Sequence, residues 1–103
     1  MNILDPNHIL SQHTRLAIMI TLVSQGKIVF SELQKILEVT PGNLDSHLRK
    51  LEESGYVKIT KAFLSKGPRT VITITDDGYH STMLYISKLK QALESFIERR
   101  GRQ

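Results

Sequence analysis

Apolar residues recur at steps of three and four near the start of the chain: Ile9, Leu10, Leu16, Ala17, Ile20 and Val23, with His13 on the same course. Such spacing lines one side of a helix and predicts one over residues 6 to 25. Asp5 would cap it, Pro6 suits its first position, and Gln25-Gly26 closes it. Lys27 to Phe30 is a short β-rich piece fit for a minor edge strand. Ser31-Glu32-Leu33-Gln34 has the form of a capping box opening a short helix that ends near Leu37.

Thr40-Pro41 restarts the helical pattern, with Thr40 as cap and Leu44, Leu48 and Leu51 as the buried stripe of a helix over 41–54; Gly55 closes it. The period then changes. Tyr56 to Ala62 and Thr70 to Thr75 are rich in β-branched residues and read as two strands joined by the turn Ser65-Lys66-Gly67-Pro68-Arg69. Thr75-Asp76-Asp77 caps the last and longest helix, over 76–99.

The fold class is therefore mainly α with a small β-hairpin, in the order helix, strand, helix, helix, strand, wing, strand, helix. Two short helices followed by a hairpin form the winged helix-turn-helix plan, whose second helix enters the major groove of DNA. With 103 residues and neither linker nor repeat, a single domain over 1–103 is expected.

Viewed down the 41–54 helix from Leu44, the positions Gly42, Asn43, Ser46, Arg49, Lys50 and Glu53 fall opposite the leucine stripe. Asn43 and Ser46 can read base edges, Arg49 can fork onto guanine or grip phosphate, and Lys50 suits phosphate. Thr40, Pro41 and Gly42 bring a hydroxyl and free backbone amides to the phosphate chain, and a protonated His47 on the flank could join them. An ordinary solvated face is the alternative.

Charge gives this reading a location. The net charge is +4, and residues 40 to 70 hold six basic side chains against three acidic ones. The hairpin, with its wing over 63–69, gathers Lys61, Lys66 and Arg69 around the tip Gly67-Pro68, small enough for a minor groove. A hairpin that is merely solvated is the competing reading.

The stretch from Val39 to Val57, VTPGNLDSHLRKLEESGYV, resembles the recognition helix of MarR/ArsR-like winged-helix regulators, especially short single-domain archaeal and bacterial ones. His13 to Ile18 resembles the start of their first helix. Lys61-Ala62-Phe63, Pro68-Arg69-Thr70 and Ile74 to Gly78 resemble their wing and exit, so the likeness covers residues 4 to about 98. It implies a recognition helix in the major groove of double-stranded DNA, a wing at the minor groove and terminal helices that pair into a homodimer. The chain departs from the metal-sensing branch, whose thiolate ligands cannot exist without cysteine. No motif announces the cleft for phenolic effectors known in the multidrug-response branch, and a small-molecule effector stays open.

In the last helix Tyr79, Met83, Ile86, Leu89, Leu93 and Phe96 make a stripe, widened by Leu84, Tyr85 and Ile97, that exceeds what one small core needs. A second copy is its expected cover, and packing back on the first helix is the alternative. Helices 6–25 and 76–99 are thus the candidate dimerisation elements.

Other chemistry finds no motif. His8, His13, His47 and His80 lack metal-ligand spacing, cysteine is absent, and there is no phosphate loop or nucleophile elbow. No enzyme, metal or cofactor is expected. No apolar run reaches membrane-span length, and Met1 to Pro6 lacks the pattern of a signal peptide, so a cytoplasmic location without membrane contact is expected. The reading from a different class is a winged helix used as a protein-protein interaction module in a larger assembly.

Overall fold

The computed structural model describes residues 5–101. Their order is a 3₁₀ turn Ile9–Ser11, α1 His13–Gln25, β1 Lys27–Val29, α2 Phe30–Leu37, α3 Pro41–Glu53, β2 Val57–Leu64, β3 Gly67–Ile74 and α4 Asp76–Gly101. The three strands form one antiparallel sheet in the order β1-β3-β2, with β1 at the edge as its sequence predicts. This is the expected winged-helix architecture. Part of the assignment of residues 1–103 to one domain, Met1 to Leu4 with Arg102 and Gln103, lies outside the described residues, as do the first four residues of the signal-peptide reading.

Leu10, Ile18, Met19, Leu22, Ile28, Leu33, Leu44, Leu48, Leu51, Val57, Ile72 and Tyr85 form one buried cluster. It draws on every element, so the helix pair and the hairpin are fixed to one body rather than hung from it.

The first helix begins at His13, not at residue 6. The Asp5 carboxylate accepts from the amide of Asn7, and the Ser11 hydroxyl donates to the carbonyls of Pro6 and His8. These local side-chain bonds compete with a helical ladder. Gln12, in extended conformation, caps α1 by accepting from the Arg15 amide at 2.8 Å. The buried side of α1 is Ile18, Met19 and Leu22, while Ile20 is exposed. In a helix apolar on most sides, spacing alone cannot choose the face that packs.

Ser31 does not cap α2. The helix starts two residues earlier than that cap would set, at Phe30, and its N-cap position is Val29, whose side chain makes no capping bond. β1 therefore passes directly into α2. The wing turn is also tighter than expected: β2 and β3 pair out to Leu64 and Gly67, leaving only Ser65 and Lys66 between them. The positive φ needed to reverse the chain falls on Gly67, at 102°.

α4 is locked to the body at its start. The Thr75 hydroxyl accepts from the Gly78 amide at 2.9 Å and donates to the Gly55 carbonyl at 2.6 Å. A Cβ on Gly78 would overlap the backbone carbonyl of Tyr56. Gly78, Thr82 and Tyr85 are buried, whereas every residue from Lys90 to Gly101 is exposed. The helix thus leaves the body midway, consistent with a molecule 59 Å long and only 24 by 22 Å across.

Candidate nucleic-acid interface

α3 is built from its cap inward. Glu38 takes a left-handed conformation (φ 54°) that ends α2 and turns the chain; its amide bonds the Gln34 carbonyl at 2.9 Å. Thr40 then stands extended, and its hydroxyl accepts from the Asn43 amide at 3.1 Å. Pro41 occupies the first turn, where its missing N–H leaves no bond unmade. Leu44, Leu48 and Leu51 are buried, which fixes the rotation of the helix about its axis.

That rotation exposes Thr40, Pro41, Gly42, Asn43, Ser46, Arg49 and Lys50 together on the outer side. No acidic residue lies in the first turn, so the amide end keeps its partial positive charge. A Cβ on Gly42 would meet nothing within 4 Å, so the surroundings of this position are open. Arg49 Nε donates to the Asp45 carboxylate at 2.8 Å, and this bond is the first cause raising the arginine pKa above its ordinary value. Asp45 therefore points the guanidinium along the exposed face. The i, i+4 spacing of the pair is a signal available from sequence alone.

His47 stands apart from this group. It is half-buried, and its Nδ1 lies 3.2 Å from Arg15 Nη1, while Arg15 Nε donates to the Ile9 carbonyl at 2.7 Å. Nδ1 must accept there, since a guanidinium has only donors. Burial, followed by the nearby charges of Arg15, Lys50 and His13, lowers the His47 pKa below the ordinary 6.5. A phosphate contact by protonated His47 would require it to release Arg15.

The wing residues divide between the two faces of the hairpin. Cross-strand partners share a face. Val57 with Ile74 and Ile59 with Ile72 mark the face turned to the helices; Lys61 with Thr70 and Phe63 with Pro68 continue it beyond the body. Arg69 pairs with Ala62 on the opposite face and donates to the Pro68 carbonyl at 2.9 Å; Lys66 sits in the turn. On the Arg69 side, an open groove of about 310 Å³ separates wing from α2, with Lys35, Lys66 and Arg69 among its lining. Lys35 is an addition that spacing along single elements does not reveal, as is the near-complete exposure of the wing residue Phe63. Glu52 ties α3 to the hairpin by accepting from the Ile59 amide at 3.2 Å.

Of the expected dimer residues, Tyr79, Met83, Leu93 and Phe96 are exposed, while Ile86 and Leu89 are half-buried and Leu89 packs on the core. Among the described residues no group of three or more His, Cys, Asp or Glu could hold a metal ion, and no helix is long and apolar enough to cross a membrane.

Comparison with known proteins agrees with this geometry. A transcriptional regulator homologue from Pyrococcus horikoshii OT3 is 45% identical, superimposes with a TM-score of 0.85, and shares 91% of this chain and 92% of its own. A protein assigned to the MarR family from Enterococcus faecalis V583 is 27% identical, with a TM-score of 0.74 over 92% of this chain and 84% of its own. An uncharacterized protein of Methanocaldococcus jannaschii is 39% identical over 62 residues, 60% of this chain and 67% of that protein. The two solved structures are those of a transcriptional regulator homologue and a regulator of the MarR family. The family profile described as winged helix DNA-binding domain matches residues 14–93, from α1 to Leu93 in the distal half of α4, and with the fold it places the chain in that family as a MarR-like member.

Proposed function

We propose that this DNA-binding regulator acts as a cytoplasmic homodimer on a pseudo-palindromic operator, with the 41–54 helix in the major groove and the 63–69 wing at the minor groove. In this reading Asn43, Ser46 and Arg49 read bases, while Thr40, Lys50, Lys61, Lys66 and Arg69 hold phosphates. The observation that carries it is the exposed polar side of α3, uncovered by the chain's own residues and flanked by a wing with no acidic side chain. Two copies joined through α4 would present two such helices about 34 Å apart, one turn of the duplex.

Selection of bound duplexes from a random pool tests symmetry, spacing and sequence preference together. Against the recovered duplex, Arg49→Ala should cost about 1–3 kcal/mol of specific affinity and leave random DNA little affected. Equal loss on both would remove its base-reading role, and a pool that yields no bound duplex would sink the assignment.

A further inference from the structure

Phe63 is 89% exposed, more than any other large apolar side chain among the described residues. It is not part of the core cluster. Its position follows from the strand period: Val57 and Ile59 face the helices, and two and four residues beyond Ile59 the same face carries Lys61 and then Phe63. At about 3.3 Å per residue, the ring stands roughly 13 Å along the strand from Ile59, the last residue of this face that packs on the core. Opposite it is Pro68. β1 covers only Val71 to Thr73 of β3, so Pro68 sits on an uncovered stretch of strand, where a proline is tolerated.

The surroundings of this bare ring are cationic. From Ser54 to Thr75 the chain has four basic side chains, Lys58, Lys61, Lys66 and Arg69, and no acidic one. A surface with an apolar ridge between cations fits a partner that is polyanionic outside and apolar within. The minor groove is such a partner, having two phosphate rails with stacked bases between them. We propose that Phe63, backed by Pro68, is a wedge that enters the minor groove, opens one base step and kinks the duplex, with Lys61 and Lys66 gripping the flanking phosphates. The proposal rests on the DNA-binding reading above and adds to it a source of specificity. Wedged steps unstack most easily at pyrimidine–purine sequences, so the preferred site would carry a TA or CA/TG step where the wing lands, without any hydrogen bond to it.

The test uses the full chain and the duplex recovered by selection, with dyes at its two ends and 2-aminopurine beside the step under the wing. Wild type should shorten the end-to-end distance, as a kink of roughly 20–90° requires, and should raise the 2-aminopurine emission. Phe63→Ala should bind the same duplex more weakly, leave it straight and leave the emission quenched. Phe63→Leu, still an apolar wedge, should restore part of both signals. Lys61→Ala should weaken binding on every sequence and lower the salt slope by about one, with the bend kept. Because Phe63 is outside the core, the melting temperature of Phe63→Ala without DNA should match wild type. A straight duplex in the wild-type complex, or an unchanged bend with Phe63→Ala, overturns the wedge and leaves DNA binding standing. A loss of oligomer mass with Phe63→Ala in the absence of DNA would assign the ring to a protein contact instead, and failure of wild type to retain any duplex would remove both readings.

Discussion

α3 and the distal half of α4 each expose a whole side of a helix, and the two sides differ in chemistry. On α3 the exposed row is Asn43, Ser46, Arg49 and Lys50, set against three buried leucines. On α4 beyond Lys90 every position is exposed, and Leu93, Phe96 and Ile97 are between 54% and 67% accessible. The α3 face is at ease in water, and its orientation is already fixed by the core. The distal α4 face is not: a dozen exposed residues add little to the core that could hold them helical, and their apolar side chains gain when covered. One helix is finished and awaits a ligand; the other is unfinished in a single chain and calls for a partner of matching shape, for which a second α4 is the simplest candidate.

The contrast can be broken most directly by cutting into each helix in turn. Leu48→Ala removes a fully packed side chain beneath the proposed reading face and should cost about 2–5 kcal/mol in urea unfolding, with DNA binding lost along with the helix orientation. Replacing both Leu93 and Phe96 by Ser touches no packed core. It should leave secondary structure at the start of α4 intact while moving the sedimenting species from dimer to monomer, at about 2 kcal/mol or more of association free energy if the pair are central contacts. Wild type sedimenting as a monomer at the same concentration would end the argument for α4 as the interface.

What could be read from sequence follows the same division. α3 was legible because three independent signals agree on it: Thr40-Pro41 at its start, Leu44, Leu48 and Leu51 along it, and Gly55 beyond its end. The exposed residues follow from that stripe. The start of α1 was not legible, because Asp5-Pro6 is equally good as a helix cap and as the turn it forms, and only the Ser11 and Gln12 side-chain bonds decide between them. Ser31-Glu32-Leu33-Gln34 satisfied a local rule that tertiary structure overrode, since β1 runs straight into α2. The wing was found but drawn too loosely. Phe63 is legible as a wing residue but not as a bare one, because exposure depends on how far β2 outruns the body, a property of pairing rather than of any one segment.

A smaller change tests whether the finish of α3 resides in its cap as well as its leucines. Thr40→Ala removes the acceptor for the Asn43 amide and should lower stability by about 1 kcal/mol. Thr40→Asp should recover that stability, since it also accepts, yet should weaken duplex binding by bringing a negative charge to the phosphates. Loss of stability without recovery by Asp would mean the cap hydrogen bond is not what holds the first turn.

The finest test concerns the inner flank of α3, where His47 accepts from Arg15 and so joins α3 to α1. Its pKa is lowered in the fold by burial first and then by Arg15, Lys50 and His13, from an ordinary 6.5 that the unfolded chain should keep. The unfolded state therefore takes up the proton first as pH falls. Stability supplied by neutral His47 is fully present above about 6.5 and declines below it until the folded pKa is passed. His47→Asn keeps an oxygen acceptor near the place of Nδ1 and cannot titrate, so its unfolding free energy should vary less with pH across that acid window than that of wild type. A steeper decline in His47→Asn, or identical slopes, would show that the Arg15–His47 contact does not couple protonation to folding, and α3 would then be held on its inner flank by packing alone.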